Sequence, residues 1–270
     1  MLSVRSHLTV LLWIWMGIGV ACQSLSSNEE ASKKASAELL DTKLTLIMTH
    51  LEHNQEDAAL QEIRALLRES PESPQVLAVG GIVYLFFSRV PTAIEYLEKA
   101  YKLQPTSDVG LNLSAAYLAG NRTKKAKPLL QRLLVDEKYE NRERIYHNLG
   151  LAFEQENNFV LAEMNYQNAL MENPTYYLSH YRLGLLYGKN GKNRQAVEHF
   201  SKSIALCPAC YEPVQELATL YIERKNSKKA AALVSKFLEE KNMPAPIKAQ
   251  ARALLGRARA SSPTQTQDIQ

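Results

Sequence analysis

The chain has 270 residues and a formal net charge of +4, from 32 basic against 28 acidic side chains. So small an excess, spread along the chain, excludes a basic track for nucleic acid; the pairs Lys124-Lys125 and Lys228-Lys229 read as solvated helix starts. The six histidines are scattered, and no H-E-x-x-H, glycine-rich phosphate loop or G-x-S-x-G occurs, which argues against an enzyme and against a cofactor or metal.

Residues 1–21 stand apart. Arg5 and His7 precede an apolar run, Leu8 to Ala21, that is short for a membrane span and typical of a secretory signal core. The run ends in Gly19-Val20-Ala21-Cys22, which resembles the bacterial lipobox, with Gly19 where leucine is usual. That resemblance implies that Cys22 is acylated and becomes the mature N-terminus. An ordinary signal cut near Ala21 is the alternative. Gln23 is similar to the outer-membrane-sorted type of lipoprotein, so the expected localisation is the outer membrane, through N-terminal acyl chains. Residues 22–38, rich in Ser, Glu, Lys and Ala, suit a flexible tether.

From there an aromatic position recurs: Tyr84, Tyr117, Phe153, Tyr187 and Tyr221, at intervals of 33, 36, 34 and 34 residues. Three residues before each anchor from Tyr117 onward stands a small one, Ser114, Gly150, Gly184 or Ala218, which lets two antiparallel helices approach closely. Ala126, Ala162, Ala196 and Ala230 are expected opposite these on the second helix. Pro105, Pro174 and Pro208 stop second helices. This period and pattern resemble the tetratricopeptide repeat, a helix–turn–helix unit that stacks on copies of itself. The fold expected is therefore an all-α superhelix, an α-α solenoid of six repeats near 40–73, 74–106, 107–140, 143–176, 177–210 and 211–244. A capping helix, 246–259, closes the 39–260 solenoid, and 261–270 forms a frayed tail. The first unit is degenerate, with His50 in the aromatic slot beside Leu46 and Ala59. Asn141 and Arg142 are extra residues, and Pro128 should kink the second helix of the third unit or displace its first turn.

Cys207-Pro208-Ala209-Cys210 is a C-x-x-C pair at the C-terminal end of a helix, where the dipole disfavours a thiolate, so redox catalysis is not expected. A local disulfide between Cys207 and Cys210 and two reduced packing residues both remain open.

In solenoids of this kind the fifth, ninth and twelfth residues of each first helix point into a concave wall. Here these are Leu44, Met48 and Leu51; Ala78, Ile82 and Leu85, with Phe86 adjacent; and Leu111, Ala115 and Leu118. A more mixed half follows: His147, Leu151 and Glu154; Tyr181, Leu185 and Gly188; Gln215, Thr219 and Ile222. Ile82, Phe86, Leu111, Ala115 and Leu118 are expected to form one apolar strip suited to an apolar peptide or helix.

The segment from Tyr139 to Leu151, with Arg142, Arg144, Tyr146 and Asn148-Leu149-Gly150-Leu151, resembles the corresponding junction of the type IV pilus pilotins of the PilF/PilW/Tgl type, six-repeat lipoproteins of about this length. The resemblance covers roughly residues 40–245. It implies a non-catalytic partner for outer-membrane secretin subunits, needed for secretin localisation or assembly and so for pilus biogenesis. A general envelope scaffold for cell-wall enzymes or proteases is the alternative.

Overall fold

The computed structural model describes residues 34–240 and 243–261. Cys22, the stretch 1–21 read as a signal segment and the stretch beyond 261 lie outside these residues. Among the described residues there are thirteen helices and no strand, as the repeat pattern requires. The chain divides into two compact units, Met1–Gln104 and Pro105–Gln270.

The first unit holds α1 (34–52), α2 (Glu56–Glu69), α3 (Pro74–Phe86) and α4 (Val90–Leu103). Helix α1 reaches back into the stretch read as tether, because Lys34, Ala35, Ala37 and Glu38 are good helix formers. Its core gathers Ile47, Leu51, Ile63, Leu66, Val76, Val83 and Tyr84. Leu46, placed by the repeat register in a core slot, is 46% exposed, and the buried residue is its neighbour Ile47. The slots equivalent to Leu46 in later repeats, such as Leu113, Leu149 and Leu183, are buried; α1 opens the stack, so no earlier hairpin among the described residues covers that face.

The second unit holds α5 (Ser107–Ala119), α6 (Thr123–Leu133), α7 (Arg142–Gln155), α8 (Phe159–Glu172), α9 (Tyr177–Lys189), α10 (Asn193–Leu206), α11 (Tyr211–Glu223), α12 (Ser227–Phe237) and α13 (Ala245–Ala260). Helices pair as α5/α6, α7/α8, α9/α10 and α11/α12, each hairpin packs on the next, and α13 closes on α11 and α12 through Ala251, Leu254 and Ala258. Its Arg252, Arg257 and Arg259 stay exposed, so the C-terminal end of this stack is solvated.

Within each hairpin the turn is the same. The residue four past the anchor takes a left-handed conformation: Asn54, Ser88, Asn121, Asn157, Gly191 and Lys225, with φ of 52–69°. The next N–H then reaches back to the anchor carbonyl, as in Arg122 to Tyr117 (2.7 Å) and Lys192 to Tyr187 (2.9 Å), which satisfies a helix-end carbonyl. Asparagine tolerates this conformation, whereas lysine is strained in it. Lys225→Gly is therefore expected to stabilise the second unit by up to about 1 kcal/mol, the left-handed penalty of about 1–2 kcal/mol less glycine's unfolded-state entropy of about 0.4–1 kcal/mol, read as a higher denaturant midpoint; an unchanged or lowered midpoint would show that the turn is held by something other than its backbone.

The small slot before each anchor receives a large side chain from the second helix. A Cβ on Gly150 would lie 2.4 Å from Cε1 of Tyr166, one on Gly184 2.6 Å from Cδ1 of Phe200, and one on Gly81 2.3 Å from Cγ of Leu97. These larger residues, and not the alanines expected there, face the small slots; Ala196 instead lies one turn on, opposite Gly188. The anchors are capped by lysines: the ammonium groups of Lys125, Lys192 and Lys229 sit 5.1–5.8 Å from the ring centroids of Tyr117, Tyr187 and Tyr221. Both basic pairs read as solvated helix starts thus also cover aromatic surface, each through one lysine.

Helix α6 starts at Thr123 and runs through Pro128 without a displaced first turn, since Pro128 and Lys124 are exposed and the carbonyl left without an N–H faces water. The inserted stretch lies at 134–141, and Arg142 belongs to α7. The junction residues pin this stretch. Tyr139 donates to Asp108 Oδ1 (3.0 Å), Arg142 Nη1 donates to the Leu134 carbonyl (3.2 Å), and Ser107 donates to Asp136. Burial, then Asp108, pushes the Tyr139 hydroxyl up to about 12.

Candidate binding groove

The wall positions separate into three groups. In the first unit Leu44, Ile82 and Leu85 pack partly buried against the core, Leu51 is buried and Ala78 is half-buried. Met48 and Phe86 are exposed, Phe86 at 52% with its ring edge-on to Phe87. In the second unit Leu111 is 1% exposed, a core residue and not a wall residue. Helix α5 packs on both α6 and α7, so its fifth position faces protein. His147 is likewise buried. Leu151, Tyr181 and Leu185 are half-buried on the α8–α10 core. Further along the wall, Gly188, Thr219 and Ile222 are half-buried and Gln215 is exposed.

A cavity of about 410 Å³ opens in the second unit, built from first helices alone: Ala115, Leu118 and Ala119 of α5, Asn148, Leu151, Glu154 and Gln155 of α7, and Arg182 of α9. Of the expected strip, Ile82 and Phe86 belong to the first unit, and only Ala115 and Leu118 line this cavity. Leu118 is 4% exposed, so it serves core and cavity floor together. Sequence reading missed Ala119, Asn148, Gln155 and Arg182. Asn148 and Arg182 both stand at the sixth position of their repeats, one residue past the fifth positions inspected, and that shared register was the available signal.

The polar rim is organised by its own contacts. Gln155 Nε2 donates to the Leu118 carbonyl (2.8 Å), and Thr123 donates to Gln155 Oε1 (2.7 Å), tying the end of α7 to the α5–α6 turn. Glu154 accepts from the Tyr166 hydroxyl and lies 3.7 Å from Arg182 Nη1. Burial, reinforced by Glu154, raises the pKa of Tyr166, which stays protonated and donating. Among the described residues, the side chains of Arg182 and Asn148 make no hydrogen bond to protein, so beyond the Glu154 ion pair and the Tyr181 ring contact they keep donors over an apolar floor. Nearby, His147 packs against Tyr166 and Tyr176, and its Nδ1 lies 3.0 Å from Ser179 Oγ. Burial, then the Arg182 charge, pushes it down to about 3, so it is neutral at physiological pH.

Cys207 caps α10 and Cys210 opens α11, and the two are joined by a disulfide across that turn. Neither lines the cavity. Among the described residues no group of three or more His, Cys, Asp or Glu could hold a metal ion, and no helix is long and apolar enough to cross a membrane.

Residues 44–108 and 177–210 match models of the tetratricopeptide repeat. The chain is built of tetratricopeptide repeats. Among solved structures it is similar to PilW, a widely conserved type IV pilus biogenesis factor, with TM-score 0.60 and 17% identity over 78% of this chain and 97% of that one. It is also similar to pilF of Pseudomonas aeruginosa, with TM-score 0.57 and 18% identity over 79% and 96%. Among curated proteins, the antiviral innate immune response effector IFIT1 of Macaca fascicularis is 24% identical over 66% of this chain, and the anaphase-promoting complex subunit CDC16 of Saccharomyces cerevisiae is 26% identical over 72%. The chain spans only 34% and 24% of the length of those two relatives. Likeness at these identities is a likeness of fold; it is the tetratricopeptide repeats themselves that indicate protein–protein interaction.

Proposed function

We propose that this protein is a non-catalytic, lipid-anchored partner of the type IV pilus secretin, acting as the pilotins do in secretin localisation or assembly. The observation that carries the reading is coverage. PilW and pilF are matched over nearly their whole length, whereas the IFIT1 structures are matched over about half. The Gly19-Val20-Ala21-Cys22 sequence supports an acyl anchor at Cys22. Several acyl chains there would supply stable membrane partition.

In this reading the second-unit cavity holds an apolar side chain of an unassembled subunit on Ala115, Leu118 and Leu151. Asn148 and Arg182 pair with acceptors flanking it. Burying one aliphatic or aromatic anchor is worth about 1.5–3 kcal/mol, or roughly one to two orders of magnitude in affinity. The test is co-expression with a secretin and envelope fractionation. The wild type should bring secretin multimers to the outer membrane. Cys22→Ala should leave a folded protein that no longer partitions into detergent. Ala115→Glu should fractionate normally but lose secretin capture at least tenfold. Unchanged partitioning of Cys22→Ala removes the lipoprotein reading, and full secretin assembly with Ala115→Glu removes the cavity as its site.

A further inference from the structure

Two histidines outside the cavity face each other across the α9–α10 hairpin. His180 Nδ1 and His199 Nδ1 are 3.0 Å apart, and His180 Nε2 is 3.2 Å from the Pro174 carbonyl just past α8. A carbonyl only accepts, so His180 must donate from Nε2. Its Nδ1 is then an acceptor, and the proton between the rings belongs to His199 Nδ1. The chain of donors is therefore directional, from His199 to His180 to the α8–α9 turn. His199 Nε2 is left as the open basic site. The same helix α9 carries Arg182, the cavity's guanidinium.

The order of protonation follows from this directionality. A first proton goes to His199 Nε2 and leaves the inter-ring bond intact, now charge-assisted. A second proton can only go to His180 Nδ1, and two N–H groups on two cations then face each other at hydrogen-bond distance. We propose that the His180–His199 pair is an acid-released latch that clasps α9 to α10 and thereby sets Arg182 at the partner cavity. The regulatory part rests on the reading of that cavity as the partner site. The surrounding charges are Glu163 of α8 and Glu198 and Lys202 of α10. Tyr187 of α9 packs on the His199 ring and donates to Glu163 Oε1 at 2.8 Å. No charged group of α11 figures among those acting on either ring. Burial is the largest cause lowering both imidazoles, His199 to about 4, so the release is an acid event.

The test uses the full chain labelled with ¹⁵N-histidine, titrated from pH 7 to 3, with α9 amide protection followed in parallel as a ratio to that of α5, which carries no histidine and shares any global loss. The first proton should appear on His199 Nε2 without loss of α9 protection. The second, on His180, should lower that protection at least tenfold. His199→Asn supplies an amide that donates to neutral His180 and, once flipped, accepts from protonated His180. It should hold the α9-to-α5 ratio down to pH 3. His180 taking the first proton, or equal loss of protection in wild type and His199→Asn, overturns the latch and would point to Glu163 or Glu198 instead. Should His199→Asn not fold, the order of protonation in the wild type decides alone. Secretin capture, measured over the same range, separates the two readings. A latch that opens while capture is indifferent to pH stands as a latch and removes its role at the cavity.

Discussion

Gly150→Ala is expected to destabilise the second unit by about 1–3 kcal/mol, although alanine is the better helix former. The added methyl would sit 2.4 Å from the Tyr166 ring. That ring has no room to yield, being fully buried with its hydroxyl held by Glu154. Helix propensity favours alanine by at most about 1 kcal/mol, so overpacking wins. Gly256, in α13, provides the contrast: nothing lies within 4 Å of its Cβ position, and Gly256→Ala should stabilise the protein. Denaturant midpoints at unchanged slope measure both. A Gly150→Ala protein as stable as the wild type would mean that α7 and α8 part without cost.

Acid should weaken the fold well above the range where carboxylates titrate. His147 is held neutral down to about pH 3 by burial, whereas in the unfolded chain it takes a proton near pH 6.5. A base depressed in the folded state contributes fully above the unfolded value. That contribution is lost as pH falls towards the folded one, because the unfolded chain then binds the extra proton. Between pH 7 and 5 this amounts to about 2 kcal/mol, from a slope of about 1.4 kcal/mol per pH unit. His180 and His199 act in the same direction. His147→Phe should keep the ring packing on Tyr166 and Tyr176 and flatten the dependence of Tm on pH in that window. A slope unaltered by the substitution would place the acid sensitivity elsewhere.

The hairpins were legible in the sequence because their cause is periodic. The anchors Tyr84, Tyr117, Phe153, Tyr187 and Tyr221 and the small slots before them recur with one chemistry. The hairpin turn was not legible, since the same left-handed position is filled by Asn121, Ser88, Lys225 and Gly191, which share no side-chain feature. The cavity was half legible. Ala115, Leu118 and Leu151 followed from counting positions, but counting cannot say that α7 covers Leu111. Nor can it bring Asn148 and Arg182, a repeat apart, to one rim. The Cys207–Cys210 bond lay beyond sequence reading as well, because helix-end geometry admits both the bonded and the reduced pair.

The contact between each small slot and the large residue sixteen positions later reaches beyond stability. Gly150 meets Tyr166, Gly184 meets Phe200 and Gly81 meets Leu97. The same spacing pairs Ser114 with Leu130 and Ala218 with Val234, all four buried. The largest second partners, Tyr166 and Phe200, answer glycine, whereas Ser114 and Ala218 are answered by the smaller Leu130 and Val234, so the two sizes are matched. The pair behaves as a two-letter word, and its letters should change together among related chains. Whole words should also be transferable between hairpins: Gly150→Ala joined to Tyr166→Val would copy the Ala218–Val234 word into the second hairpin of its unit and recover fit that either change alone forfeits.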